Sequence, residues 1–312
     1  AASAAESSPT GGITVKHTPS TLSTPRRERA GLTAFMSLPL IIYAIFCLFP
    51  TVMTMGYSLV KWNGLSDKVQ FVGLKNFIDL FTTNSTFKIS VINTLIYTAF
   101  VMIVQNALAL FIAVQIYRES RINNVYRTLF YLPVILSAVT IGFTWSFIYD
   151  PNIGVLNTIL RALDLSKLTH VWLSEKYVSI LAIAFVHVWW GCGNAMVLYI
   201  AGLQGVPDDL LEAAAIDGCT PWQRFWKVTF PTLLPTVALV VVMSMIGSFK
   251  TFELVWTMTQ GGSDKSSMVL ALQAYKEAFA YSDVGTGSAV AVILLIIVSG
   301  FSTLQVKLTD RR

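Results

Sequence analysis

The sequence predicts an all-α, polytopic membrane protein with six transmembrane helices, and two observations carry that prediction. Six stretches contain no Asp, Glu, Lys or Arg: residues 30–60, 89–117, 128–149, 177–207, 228–249 and 284–306. Each is long enough to cross about 30 Å of hydrocarbon as a helix. All of the charge, 22 Lys and Arg and 17 Asp and Glu in 312 residues, therefore lies in the segments between them. Those segments are charged to an ordinary soluble density. A water-soluble enzyme and a disordered chain are both excluded by this segregation.

Residues 1–31 are rich in Ala, Ser, Thr, Pro and Gly and hold few bulky apolar side chains, so they are expected to form a disordered cytoplasmic tail. The tail ends at Arg26-Arg27-Glu28-Arg29. A twin-arginine export signal is the rival reading, but no Phe-Leu-Lys follows, and the apolar run is about twice a signal peptide's length. The transmembrane domain is expected over 32–308, with spans at about 32–60, 89–115, 128–149, 178–202, 229–249 and 285–306. Residues 309–312 form a short end.

Six spans place both termini on one side. The connections on that side carry nine of the ten arginines, and those on the other carry Arg161 and nine lysines in longer loops. Short basic loops set orientation, so both termini are expected in the cytoplasm, with a multi-pass chain in the bacterial cytoplasmic (inner) membrane and the lipid bilayer as its surroundings. The external loops are about 61–88, 150–177 and 250–287, and Met268–Ala280 reads as a short helix of mixed character. Cys47, Cys192 and Cys219 lack metal-ligand spacing and read as packing residues. The formal charge of +5 comes without a basic cluster interleaved with aromatics, so no nucleic-acid partner is expected.

The cytoplasmic loop 203–229 carries the strongest signal. Its capping residues predict two short helices. Asp209 is placed to cap the first, with Glu212 returning the bond after Pro207. Ala213, Ala214 and Ala215 continue it, and Gly218 after Asp217 supplies a left-handed terminus. Thr220, Pro221 and Gln223 form a capping box for the second helix, which presents Trp222, Phe225 and Trp226. Pro231 and Pro235 mark the start of the fifth span. Large aromatics on a soluble loop need a cover, so the loop reads as a docking knob or as a hairpin packed on its own spans.

The run Glu212-Ala213-Ala214, Asp217-Gly218, Val228 and Phe230-Pro231 resembles the EAA loop of ABC-importer permeases, with Val228 and Phe230 as mild departures. Trp62-Asn63-Gly64, Phe71-Val72-Gly73-Leu74-Lys75-Asn76-Phe77, Asn93-Thr94, Arg127-Thr128, Gly154-Val155-Leu156-Asn157 and Gly261-Gly262 extend the likeness across about 32–308. It is to the first of the two paired subunits of maltose- and glycerol-phosphate-type carbohydrate permeases. The resemblance implies a type I ABC-importer permease fold. It also implies a heterodimer with a second permease subunit, two ATP-binding subunits that bind ATP and Mg, and an extracytoplasmic solute-binding protein. Glu212, Ala213, Ala214, Asp217, Gly218, Trp222, Phe225 and Pro231 would then dock the ATPase.

Polar residues inside spans are costly and point to function. His187, Trp190, Gly191 and Asn194 share one helical face, as do Ser244, Gly247, Ser248 and Thr251. The resemblance makes these two stripes the solute site. Gln105, Asn106 and Gln115 on the second span read instead as interhelical packing. With no Arg or Lys in any span, a neutral sugar or oligosaccharide is preferred over glycerol 3-phosphate. No Gly-x-x-x-x-Gly-Lys-Ser/Thr loop occurs, so this chain is expected to be non-catalytic, holding no catalytic residue, metal or cofactor of its own. A membrane enzyme would need acid/base groups beyond one histidine. A secondary transporter would usually need intramembrane acids.

Overall fold

The computed structural model describes residues 26–310, with side-chain placement for 35–307. Most of the tail expected over 1–31, and the last two arginines, lie outside the described residues; from Arg26 the chain is helical. The chain divides into two units, residues 1–51 and 52–312. In the first unit the helix widens into a π turn at Ala44–Leu48, and Thr51 Oγ1 donates to the Cys47 carbonyl at 2.7 Å.

Among the described residues five helices are long and apolar enough to cross a membrane. They are α1 (Phe35–Tyr57), α3 (Ser85–Ile116), α7 (Val178–Gln204), α9 (Pro221–Phe249) and α12 (Val284–Asp310). The expected third span is different. It is a bent pair, α4 (Arg121–Ile135) and α5 (Ala138–Ile148), meeting at 95°, and counting it as one gives six. The physical cause is local. Pro133 sits in the last turn of α4, Leu136 and Ser137 are extended, and Ser137 accepts from the Thr140 N–H to begin a new helix. Hydropathy alone reads this segment as one span.

Between the spans lie α2 (Lys75–Thr82), α6 (Val155–Ala162), α8 (Asp208–Ile216), α10 (Glu253–Thr259) and α11 (Leu270–Tyr275). A π turn, Lys276–Ala280, extends α11, so the expected external helix is present. The all-α expectation needs one small amendment. β1 (Val60–Lys61) and β2 (Gln70–Phe71) pair antiparallel, with Val60 opposite Phe71. The turn between them is pinned by Asn63 Oδ1, which accepts from the N–H groups of Leu65 and Ser66.

The second unit is built along α7. On its C-terminal half Cys192, Ala195, Met196, Tyr199 and Leu203 pack with Ala109, Ile112 and Ala113 of α3 and Leu233 and Val240 of α9. On its N-terminal half Ile180, Ile183, Ala184 and Val186 pack with Tyr97 and Val101 of α3, Ile141 of α5 and Val255 of α10. Small residues let the backbones approach. At Gly193 a Cβ would meet the Phe130 carbonyl oxygen of α4 at 2.4 Å.

Candidate functional site: a cavity among the spans and a helical hairpin

The two predicted polar stripes face each other. His187, Trp190, Gly191 and Asn194 of α7 line one cavity of about 240 Å³ with Ser244 and Gly247 of α9. A second cavity of about 220 Å³ shares His187, Trp190 and Gly247 as walls and reaches Ala138, Lys250, Thr251 and Glu253. Seven of the eight expected lining residues are therefore brought together.

Ser248 is the exception. It is fully buried and its Oγ donates to the Met245 carbonyl at 2.9 Å. The reason is helical geometry. The lining positions of α9 centre on Gly247, and the next residue is turned by about 100°, onto the side where Met245 and Phe249 meet Val298 of α12.

The stripes are held by hydrogen bonds that cross helices. Tyr97 OH lies 2.8 Å from His187 Nδ1 and accepts from Thr251 Oγ1 at 3.1 Å, linking α3, α7 and the outer end of α9. Trp190 Nε1 donates to the Leu136 carbonyl at 3.2 Å, so the α4–α5 break obtains one partner for a backbone oxygen that no helix satisfies. Sequence reasoning missed Tyr97. It lies three and four residues beyond Thr94 and Asn93 on one buried face of α3, and that spacing was the available signal.

The loop over 203–229 folds as a hairpin. Helix α8 begins two residues earlier than a cap at Asp209 requires, with Pro207 as its cap and Asp208 and Asp209 in the first turn. The Asp209–Glu212 box does not form, because Asp209 lies inside the helix and not at its cap; there the helix dipole favours Asp208 and Asp209. The other end is as expected. Gly218 has φ +76°, Cys219 N–H reaches the Ala214 carbonyl, and Gly218 N–H reaches that of Ala215. This double bond is the Schellman arrangement.

Thr220 and Gln223 exchange both bonds of their capping box, 3.0 and 3.3 Å. The second helix, however, is not separate. It runs on through a π turn, Phe225–Thr229, into α9, with the Phe230 N–H bonded to the Phe225 carbonyl. That wider turn sits immediately before Pro231, which has no N–H to give.

The hairpin presents Ile216 and Trp222, 87% and 71% exposed. Trp222, Phe225 and Trp226 stack edge to face, with Trp226 centred 5.6 Å from Trp222 and 5.2 Å from Phe225. Glu212, Ala213, Asp217 and Pro231 are exposed, while Ala214 is buried inward. Beneath them a cleft of about 490 Å³ is lined by Glu212, Phe225 and Arg224, with Asp208 and the inner-loop Arg118. The side-chain hydrogen bond that Arg118 Nε donates to Tyr117 OH, and then the electrostatic contact with that residue, keep the Arg118 guanidinium more firmly protonated than usual.

Residues 105–312 match the family model described as the binding-protein-dependent transport system inner membrane component. The chain belongs to this family. Among its relatives is the probable ABC transporter permease protein YurN of Bacillus subtilis, 33% identical over 86% of this chain and 93% of that one. The probable starch degradation products transport system permease protein AmyD of Thermoanaerobacterium thermosulfurigenes is 33% identical over 89% and 93%. The sn-glycerol-3-phosphate transport system permease protein UgpA of Yersinia pestis is 30% identical over 93% and 98%. In fold the chain is similar to a bacterial ABC transporter involved in the import of the acidic polysaccharide alginate. The TM-score is 0.78, the identity 20%, and the coverage 92% of this chain and 97% of that one.

In this multi-pass ABC-importer permease, Lys250 and Glu253 are the charged residues lining the cavities, and both belong to the outer one.

Proposed function

We propose that this permease passes a sugar or oligosaccharide across the cytoplasmic membrane by alternating access, with both termini in the cytoplasm. It would pair with a second permease and two ATP-binding subunits holding ATP and Mg. An extracytoplasmic solute-binding protein would deliver the solute. The carrying observation is the wall of the inner cavity: an imidazole, an indole, amides, a hydroxyl and two glycines, with no ionised group. Such groups hydrogen-bond hydroxyls and stack on a sugar face, whereas a phosphate dianion is normally met by guanidinium or ammonium groups. AmyD, named for starch degradation products, supports the same reading.

Glycerol 3-phosphate is the second reading, favoured by UgpA and by Lys250 at the outer cavity. Thermal shift of the cognate binding protein against sugars and glycerol phosphates separates the two. Stabilisation by a sugar alone is expected, and stabilisation by glycerol 3-phosphate alone would replace the first reading with the second.

A further inference from the structure

The second span holds two adjacent amides with opposite fates. Asn106 is spent on packing: its Nδ2 donates to the Met102 carbonyl at 2.7 Å, and its Oδ1 accepts from Tyr199 OH at 2.7 Å. Both ends are paired, as expected of interhelical glue.

Gln105 is different. It is 94% buried, being 6% exposed, and it lines the same cavity as His187, Asn194 and Ser244. Its Nε2 donates to the Gly191 carbonyl at 3.2 Å. A carbonyl only accepts, so this bond fixes which end of the amide is which. The other end, Oε1, is buried and has no hydrogen-bond partner.

An unpaired amide oxygen in hydrocarbon is unfavourable, and native structures rarely retain one without a use. The backbone adds a second observation. Gln105 closes a π turn, Val101–Gln105, inside α3, and such turns occur often at functional sites. Gly191 completes the arrangement, since a Cβ there would lie 3.2 Å from Gln105 Nε2 and would press on the amide.

We propose that Gln105 is a specificity-determining residue of the solute path, its Oε1 accepting a hydrogen bond from a solute hydroxyl. The assignment rests on the cavity being that path. It adds a wall from α3 to the stripes on α7 and α9, and it selects for donors. A hydroxyl or N–H satisfies Oε1; a carboxylate or phosphoryl oxygen repels it.

The test uses the whole importer in proteoliposomes, with its own partner subunits and binding protein. Uptake of maltose and its monodeoxy derivatives is measured as separate KM and kcat. If maltose is not carried, the disaccharide that stabilises the binding protein replaces it, with its own deoxy series. Wild type is expected to discriminate about 5- to 10-fold in kcat/KM against one deoxy derivative, the range for one neutral hydrogen bond. Gln105→Met keeps the volume and removes the acceptor, and it should carry that derivative and the parent sugar equally.

If Gln105→Met does not assemble, Gln105→Asn, with the acceptor withdrawn by one methylene, carries the same comparison. A variant that ranks the deoxy series as wild type does would overturn the assignment. Gly247→Trp separates the two readings. If it blocks uptake while the Gln105 variant ranks the deoxy series as wild type does, only the role of Gln105 falls. If it leaves uptake intact, the cavity is not the path and both fall.

Discussion

Several of the residues that carried the family resemblance serve the backbone. Asn93 Nδ2 lies within reach of the carbonyls of Lys265, Ser266 and Met268. Asn157 bridges the Pro151 and His170 carbonyls and accepts from Trp172. Arg127 caps the carbonyls of Ile116 and Tyr117 at the end of α3. In each case irregular chain beside apolar helices obtains hydrogen bonds that water does not supply there. Asn93→Leu is therefore expected to lower stability by about 2 kcal/mol, read as a lower unfolding temperature of the purified complex. The solute stripes make a sharper pair of predictions. A Cβ added at Gly247 meets nothing within 4 Å, and the cavity lies beyond it, so Gly247→Leu should assemble normally and lose uptake. Ser248→Leu overpacks a closed site and should cost about 1–3 kcal/mol, with stability falling before transport. The helical spacing of these residues was legible in the sequence. The 100° turn that separates Ser248 from its neighbour was lost, because i, i+4 spacing tolerates both faces of a wide stripe.

At the scale of elements, local capping rules read the 203–229 hairpin more faithfully than composition read the spans. The Gly218 terminus and the Thr220–Gln223 box are both present, and each supports a test. Gly218→Val forces a β-branched residue to φ +76°, at roughly 1–2 kcal/mol, and should uncouple ATPase stimulation from transport in the assembled importer. Thr220→Ala removes the box and should cost about 1 kcal/mol, a milder loss in the same assay. Charge-free blocks, by contrast, identify where hydrocarbon is but not whether one helix fills it. The third block holds Pro133 and the capping Ser137, and those two residues break it. The fifth was read as starting at 229, yet its helix starts at Pro221, because a π turn carries the helix past Pro231. Proline was taken as a boundary where the backbone had a way around it.

For the whole molecule, the distribution of charge governs how it responds to acid. Among the described residues the carboxylates lie outside the long apolar helices' cores, and two in the connection between α5 and α7 are held ionised by their surroundings. The N–H groups of Ile153 and Asn152 keep Asp150 below the usual carboxylate range. The Val171 N–H, then His170 at 2.8 Å, do the same for Glu175. A lowered folded pKa stabilises at pH above the unfolded value, and that stabilisation is lost as pH falls through the folded value. The connection between α5 and α7 should hence keep the stabilisation from these two carboxylates between pH 7 and pH 5 and loosen below about pH 4. Trp172 fluorescence reports it, and Glu175→Gln should flatten the transition. An equal response from Trp222 and Trp226 of the hairpin would contradict a locally confined effect. The six-span count was legible because burial in lipid constrains composition over whole segments. The cavity was legible only as two stripes, since their meeting depends on how α7 and α9 pack.

The break at Leu136 leaves α4 with 15 residues, about 22 Å at 1.5 Å per residue, too short to reach across alone. Its exposed carbonyl engages the only donor the Trp190 ring owns. That indole can therefore offer a passing solute a flat surface and nothing to donate. Trp190 has two separable duties: Trp190→Phe should keep the surface and loosen the elbow, and Trp190→Gln should keep a donor and abolish the surface. A transport defect at this position acquires meaning only when both variants are measured side by side.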